Sequence, residues 1–219
     1  MTRKIISICY KMFAIFSLIT GIFLNLSNTS SVRALMSYYT LQSNVICLIA
    51  FIIILVLELL NKQYQTDVYY LIKGGLVITI AITAIIYHIA LAPGGFQMDA
   101  LQNSISNKQL ANFLVHTVSP TLVLLDYVLF DEKGHFKLFY PILWLIQPLN
   151  YAVYVYTYSN LGGLFYNIGG SRRFAYFFLD YKELGYLGVL KWLIIIILGI
   201  LIISELLVLL DKIFKKIKK

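Results

Sequence analysis

Long apolar stretches separated by short polar segments are the main pattern of this chain. Six windows of about 20 mostly apolar residues occur, which is the length that a helix needs to cross the hydrocarbon core of a bilayer. The windows cover roughly residues 5–24, 38–60, 71–91, 110–130, 138–157 and 186–210. Runs such as Leu193 to Ile203 are continuously apolar, whereas strands of an outer-membrane barrel alternate between apolar and polar residues. The pattern predicts an all-α polytopic membrane protein, in which residues 1–219 form one domain, a bundle of six transmembrane helices.

The composition agrees with this environment. The 219 residues are 60% hydrophobic and only 13% charged, and the mean hydropathy is +0.81, so a water-soluble globule would lack polar residues to cover its surface. The net charge of +8 would also suit nucleic acid. However, the basic tail KIFKKIKK directly follows the last window, where each Lys gains about 1 kcal/mol from an anionic lipid leaflet. We therefore expect membrane lipids, and not nucleic acid, as partners.

Basic residues predict the orientation in the membrane. Arg3 and Lys4 precede the first window as in a signal peptide, but Lys11 interrupts the apolar run and no clear cleavage site follows, which favours an uncleaved span. Most of the 18 Lys and Arg residues lie near the termini or near the connections that follow windows two and four. By the positive-inside rule, both termini are then cytoplasmic.

The predicted outer connections, residues 92–109 and 158–185, are long and rich in Gly, Asn, Ser and aromatic residues, whereas the inner turn 131–137 is short. Long loops on one side favour a function on that side, although loops that merely cover helix ends would have the same composition.

Polar side chains cluster at the outer ends of three windows. The second window begins SYYTLQSN, which places Thr40 and Ser43 at its outer end. With a rise of 1.5 Å per residue, His116 lies about 9 Å inside the fourth window and His88 lies about 5 Å from the outer end of the third. An ionisable group at such a depth is costly unless it faces the bundle interior or a wet cavity. The sequence therefore predicts a polar intramembrane site near the outer leaflet.

A hydroxyl and an imidazole suit ester hydrolysis. A neutral imidazole removes the proton of a hydroxyl that attacks an ester carbonyl, and then returns it to the departing alcohol. His116 with Thr40 or Ser43 would supply such a dyad. The structural alternative remains open, because Thr, Ser and His in membrane helices also bond to their own helix or to a neighbouring one.

Further residues are candidates to support this chemistry. Tyr39, Tyr87 and Asn44 are candidate hydrogen-bond donors to a developing oxyanion, and Asp180 in the outer loop is a candidate to orient His116. Asp126 lies about 15 Å from His116 along the same helix, so we expect it to pair with a Lys near the inner surface instead.

Metals and cofactors are not predicted. Two separated histidines, and two cysteines that both fall inside predicted spans (Cys9 and Cys47), make neither a zinc pattern nor a disulfide framework. No phosphate-binding glycine loop or dinucleotide fingerprint is visible.

Several motifs resemble one known family in the same order along nearly the whole chain. They are YYTLQSN at 38–44, YH at 87–88, VHTVSPTLVLLDYVLF at 115–130, YPILWLIQPLNYAVY at 140–154 and YFFLDYKELGY at 176–186. This combination resembles the androgen-induced family of six-span membrane proteins, particularly its bacterial branch. In animal members, a Thr at the start of the second span and a His in the fourth hydrolyse fatty acid esters of hydroxy fatty acids. The matching positions are Thr40 and His116.

The resemblance implies an intramembrane threonine hydrolase of lipid (fatty acid) esters in a bacterial cytoplasmic membrane. The residues after Thr40 are QSN, as in bacterial relatives and unlike animal members, and Ser43 follows one turn later. The nucleophile is therefore open between Thr40 and Ser43. A kink at Pro148 would widen a lipid pocket. The alternative function is non-catalytic lipid binding or transport, and the pattern carries no signal for an oligomeric state or for the physiological ester.

Overall fold

A computed structural model describes residues 2–29, 31–91, 106–167 and 170–217. The α-helices in these ranges are α1 (Thr2–Ser27), α2 (Val32–Met36), α3 (Tyr39–Leu59), α4 (Asp67–Ile86), α5 (Asn107–Phe113), α6 (Ser119–Phe130), α7 (Tyr140–Trp144), α8 (Ile146–Asn160) and α9 (Tyr181–Ile217). Two π-helical segments, Tyr87–Leu91 and Leu114–Val118, extend α4 and join α5 to α6. A short antiparallel hairpin, β1 (Phe165–Asn167) with β2 (Gly170–Arg172), and a 3-10 turn at Phe177–Leu179 lie between α8 and α9.

Five helical segments are long and apolar enough to cross a membrane. They are Thr2–Ser27, Tyr39–Leu59, Asp67–Leu91, Asn107–Phe130 and Tyr181–Lys216. Large apolar side chains on their outward faces are exposed, as at Phe16 and Leu187, which is typical of surfaces that contact lipid. The prediction of an all-α membrane bundle is confirmed, and the protein is an integral membrane protein.

The fifth predicted window, 138–157, is interrupted in the structure. The segment consists of α7 and α8 with a break at Leu145, so neither piece alone has the length of a span and a count of six spans is not confirmed. Pro148 explains the break, because it has no N–H to donate to the carbonyl of Trp144 and its ring crowds that carbonyl. The helix is thus interrupted three residues before Pro148, which agrees with the effect expected of this proline.

The beginning of α1 and the end of α9 lie at the same end of the bundle. Arg3 donates to the Leu129 carbonyl at 3.1 Å, and Lys4 bonds the side chain of Asn61. The side chain of Lys215 packs against Gly134 in the turn that follows α6. We call this end the termini end, and we call the opposite end, with α2, the hairpin and the 3-10 turn, the loop end.

A network of buried charges joins four helices near the termini end. Asp126 on α6 pairs with Lys73 on α4 and also with Lys11 on α1, at 3.3 Å. Lys11 also contacts Glu58 on α3 at 3.1 Å, and Lys73 contacts Asp131 at 3.5 Å. These side chains are at most 10% exposed. The pairing predicted for Asp126 is thus observed with two lysines, and we call these five residues the ion-pair network.

Hydrogen bonds extend this fixed region to α9. The carboxylate of Asp211 accepts from the hydroxyl of Tyr127 at 2.6 Å and from the backbone N–H of Phe136 at 2.9 Å. Tyr69 donates to Asp131 at 2.5 Å. The termini end is therefore held by polar contacts among α1, α3, α4, α6 and α9.

Candidate functional site

Both histidines near the loop end lie in π-helical segments. His88 belongs to Tyr87–Leu91 and His116 to Leu114–Val118. In the second segment, the N–H of Ser119 bonds the carbonyl of Leu114, five residues back. Pro120 favours this wider turn, since it has no N–H for the carbonyl of His116. Such π-turns often occur at functional sites, and here they change the direction of both imidazoles from that of a regular helix.

His116 is buried at the interface of two helical segments. Its ring stacks on that of Tyr87, with centroids 3.8 Å apart and planes at 10°, and it contacts the backbone of Thr83. The imidazole is 8% exposed, and its Nδ1 has no hydrogen-bond partner in the part of the chain that the structure describes. A neutral imidazole that is protonated on its other nitrogen carries its lone pair on Nδ1. This nitrogen therefore has the property that a general base requires.

The first turns of α3 connect to the segment that holds His116. Asn44 donates to the carbonyls of Thr40 at 2.8 Å and Val115 at 3.2 Å. Ser43 donates to the Thr40 carbonyl at 2.9 Å, and its oxygen lies 2.7 Å from that of Thr83. Ser43 and Asn44 are completely buried. These bonds hold α3 against α4 and against the residue next to His116.

A cavity at the loop end contains Thr40 in its wall. It measures about 570 Å³ when counted to its open mouth, and we call it the loop-end cavity. Its polar or aromatic lining residues are Tyr39, Thr40, Thr83, Tyr151, Tyr176 and Phe178. Its apolar lining residues are Ile82, Ile86, Leu91, Pro148, Ala152, Leu179, Leu193 and Ile196. Thr40 thus contacts open space, whereas the sealed Ser43 does not line the cavity.

The cavity lies between α8 and α9, which make little contact with each other. Pro148 and Ala152 on α8 line one side, and Leu193 and Ile196 on α9 line the other. Apolar side chains of the two helices therefore face a shared apolar gap. Pro148 belongs to its lining, and the widening expected from it stays a prediction.

The structure brings the predicted residues into one layer but does not join Thr40 and His116 directly. Among the described residues, no hydrogen bond links the Thr40 hydroxyl to the imidazole of His116. Thr83 lies between them, since it lines the cavity and its backbone contacts His116. His88 pairs instead with the hydroxyl of Thr117, at 3.1 Å. His116 is not among the lining residues of the loop-end cavity, so any catalytic contact with Thr40 requires a bridging water or a change in side-chain conformation.

Asp180 caps α9 in this structure. Its carboxylate accepts from the backbone N–H groups of Lys182 at 2.9 Å and Glu183 at 3.4 Å. No contact with His116 occurs within the described ranges. Gly185, with φ of 67°, then separates this first turn from the long apolar part of α9. The position of Asp180 is explained by helix capping.

Asp180→Ala should therefore lower stability by about 1 kcal/mol through the lost cap and should leave any reaction at Thr40 unchanged. Unfolding in detergent measures the first effect, and a turnover assay measures the second. Asp180→Asn is the matched variant, because its side-chain oxygen still caps the helix. A loss of turnover in both variants, with stability retained in the Asn variant, would instead indicate that Asp180 orients His116.

Sequence reasoning did not identify Tyr176, although the YFFLDYKELGY motif begins with it. Tyr176 lines the cavity with Thr40 and Tyr151, and its hydroxyl interacts electrostatically with both residues and with the backbone of Tyr39. Burial raises the pKa of the Tyr176 hydroxyl to about 12, so this hydroxyl keeps its proton at neutral pH. The folding of residues 173–180 over the cavity brings it there, and no local spacing rule predicts such a contact.

The described residues contain no group of three or more His, Cys, Asp or Glu side chains placed to hold a metal ion. Comparison of the chain with models of protein families, with curated proteins and with solved structures finds no match. Membership of the androgen-induced family therefore stays a prediction from the sequence motifs.

Proposed function

We propose that this protein is an intramembrane hydrolase of lipid (fatty acid) esters, with Thr40 as nucleophile and His116 as general base. One observation carries the proposal: Thr40 lies in the wall of a largely apolar cavity that is also lined by residues of α8 and α9. The motifs that resemble the androgen-induced family assign the same two residues. Ser43 takes a positioning role, because its hydroxyl is fully buried and bonded to Thr83.

The cavity offers space for an ester group beside Thr40. Its enclosed part has a volume of about 70 Å³, and the rest of its roughly 570 Å³ is open to the surroundings, where an acyl chain would lie among apolar side chains. The apolar gap between α8 and α9 would admit a chain sideways from the bilayer, while the ester carbonyl reaches Thr40. In a bacterial cytoplasmic membrane with cytoplasmic termini, as the basic residues favour, the lipid would come from the outer leaflet.

The reaction proceeds in two balanced steps. The Thr40 oxygen bonds to the ester carbonyl carbon, its proton moves to His116 Nδ1, and the alcohol leaves with that proton as the carbon–oxygen bond breaks. A water molecule then attacks the acyl-threonine and gives a proton to His116, which returns it to the Thr40 oxygen as the acyl–threonine bond breaks and the fatty acid leaves. Nδ1 must reach the hydroxyl directly or through one water, and catalytic contacts are often longer in unliganded sites.

A fluorophosphonate probe tests the nucleophile. We expect the purified protein to be labelled, and we expect Thr40→Ala and His116→Ala to abolish labelling and to lower the hydrolysis of 4-nitrophenyl octanoate by roughly 10³-fold or more. Ser43→Ala should retain labelling at a reduced rate, because it loosens Thr83 without removing the nucleophile. Mass spectrometry of the labelled peptide identifies the modified oxygen.

His88→Ala is the matched control, since His88 bonds Thr117 and takes no part in the proposed reaction. Labelling that persists in both Thr40→Ala and His116→Ala contradicts the dyad. Labelling that disappears only in Ser43→Ala moves the nucleophile to Ser43.

Non-catalytic lipid binding or transport is the second candidate, favoured by the missing direct bond between Thr40 and His116 and by the broken α7–α8 segment. Lipid binding without catalysis predicts that a fatty acid ester co-purifies intact with the protein. It also predicts that the Thr40→Ala variant carries the same amount of bound ester as wild type. Hydrolysis of a bound ester by wild type, but not by Thr40→Ala, excludes this alternative.

A further inference from the structure

Tyr176 reaches the candidate nucleophile from a loop outside the helical bundle. Its side chain is partly buried and lines the loop-end cavity together with Thr40. The hydroxyl interacts with the Thr40 side chain and with the backbone at the start of α3. The first N–H groups of a helix have no partner within the helix and carry a partial positive charge. The phenol therefore lies beside a helix N-terminus, in the cavity wall where Thr40 would attack.

Aromatic packing holds the Tyr176 ring in place. The ring stacks on Phe178, with centroids 5.1 Å apart and planes at 7°, and meets the edge of Tyr38 at 6.1 Å. Tyr151 lies 6.2 Å away on α8. A ring fixed on three sides aims its hydroxyl at one position, and such preorganisation makes a hydrogen bond effective in catalysis.

The proton of the Tyr176 hydroxyl is available for donation. Tyr151 donates its own proton to the carbonyl of Ser37, at 3.2 Å. The pKa of Tyr176 is about 12, so its hydroxyl keeps its proton at neutral pH and can donate it towards Thr40.

We propose that Tyr176 is the oxyanion donor of the reaction at Thr40, a role that rests on the hydrolase function proposed above. When the Thr40 oxygen bonds to the ester carbon, the π electrons of the carbonyl move to the carbonyl oxygen. This oxyanion forms close to Thr40, because both oxygens are bonded to the same carbon. The Tyr176 hydroxyl turns from Thr40 to this oxyanion and donates a hydrogen bond without transferring its proton. The N–H of Thr40 adds a second donor from the α3 terminus.

Tyr176→Phe tests this role because it removes only the hydroxyl and keeps the ring. With 4-nitrophenyl octanoate, we expect kcat to fall about 10²-fold, as for other lost oxyanion donors, while KM stays within about twofold since the ground-state carbonyl gains little from the bond. Tyr154→Phe is the matched control. It removes a hydroxyl that bonds Ser37 in the same aromatic layer, and it should keep wild-type kcat.

The thiono analogue of the same ester, with C=S in place of C=O, separates an oxyanion defect from a packing defect. Sulfur accepts hydrogen bonds weakly, so we expect wild type to prefer the oxygen ester at least about tenfold and Tyr176→Phe to lose most of that preference. An equal loss of kcat on both esters, or wild-type kcat in Tyr176→Phe, overturns the role of Tyr176 alone. A wild-type protein that shows no preference for the oxygen ester also overturns it, and this measurement needs no variant. If wild type hydrolyses neither ester, the hydrolase function fails and this inference fails with it.

Discussion

Asp126→Ala should destabilise the protein by about 3–5 kcal/mol, the typical effect of removing one partner from a buried ion pair. The expected loss is large because Asp126 is fully buried and pairs with both Lys11 and Lys73. Without it, the one carboxylate that Lys73 still contacts among the described residues is Asp131, at the longer distance of 3.5 Å. Equilibrium unfolding in mixed micelles with increasing SDS measures this change.

Glu132→Ala is the control for the loss of one carboxylate, since the Glu132 side chain is 73% exposed and its removal should change stability by at most about 0.5 kcal/mol. The double variant Lys73→Met/Asp126→Leu should recover part of the loss, because it removes both charges and leaves Lys11 paired with Glu58. If Asp126→Ala is no less stable than Glu132→Ala, the ion-pair network contributes nothing to the fold.

Gly74→Ala should be the most disruptive single methyl addition among the glycines of the membrane helices. A Cβ at this position would overlap ring atoms of Trp144, whose indole N–H donates to the Leu71 carbonyl at 2.8 Å. The rigid indole has to move, which loosens α7 from α4. Overpacking of this kind costs about 1–3 kcal/mol, and the unfolding assay in mixed micelles measures it.

Gly199→Ala is the matched control on α9, because no atom lies within 4 Å of its added Cβ. Alanine is a better helix former than glycine, so this variant should be neutral or slightly more stable. Equal stability of the two variants would show that α7 does not pack on α4 through Gly74.

Apolar length and proline chemistry predicted most of the fold. Continuous apolar windows indicated the helices because a bilayer admits only backbone that satisfies its own hydrogen bonds, and five spans match them. Pro148 predicted an interruption of the fifth window, because proline lacks the backbone N–H that a helix needs as a hydrogen-bond donor. Asp126 was expected to find a Lys, but the second partner, Lys11, depends on how α1 packs against α6, which no pattern within one helix determines.

The candidate site was predictable only in part. Thr40, Asn44 and His116 could be placed in one layer from helix direction and rise. The orientation of His116 could not be predicted. His116 lies in a π-helical turn, and the 3.6-residue spacing of a regular helix gives no indication of such a turn. Tyr176 and Thr83 were missed because they reach the site through the tertiary fold.

The uneven distribution of polar contacts implies an uneven response to mechanical stress from the bilayer. Buried charges and hydrogen bonds fasten α1, α3, α4, α6 and α9 near the termini end, and Trp144 fastens α7 to α4. Past Leu145, α8 is held instead by single hydrogen bonds to loop-end residues, from Tyr151 and Tyr154 to Ser37 and from Tyr156 to the Leu179 carbonyl. Such bonds resist displacement less than a buried charge network does, so amide hydrogen exchange should be faster in α8 than in α4 or α6.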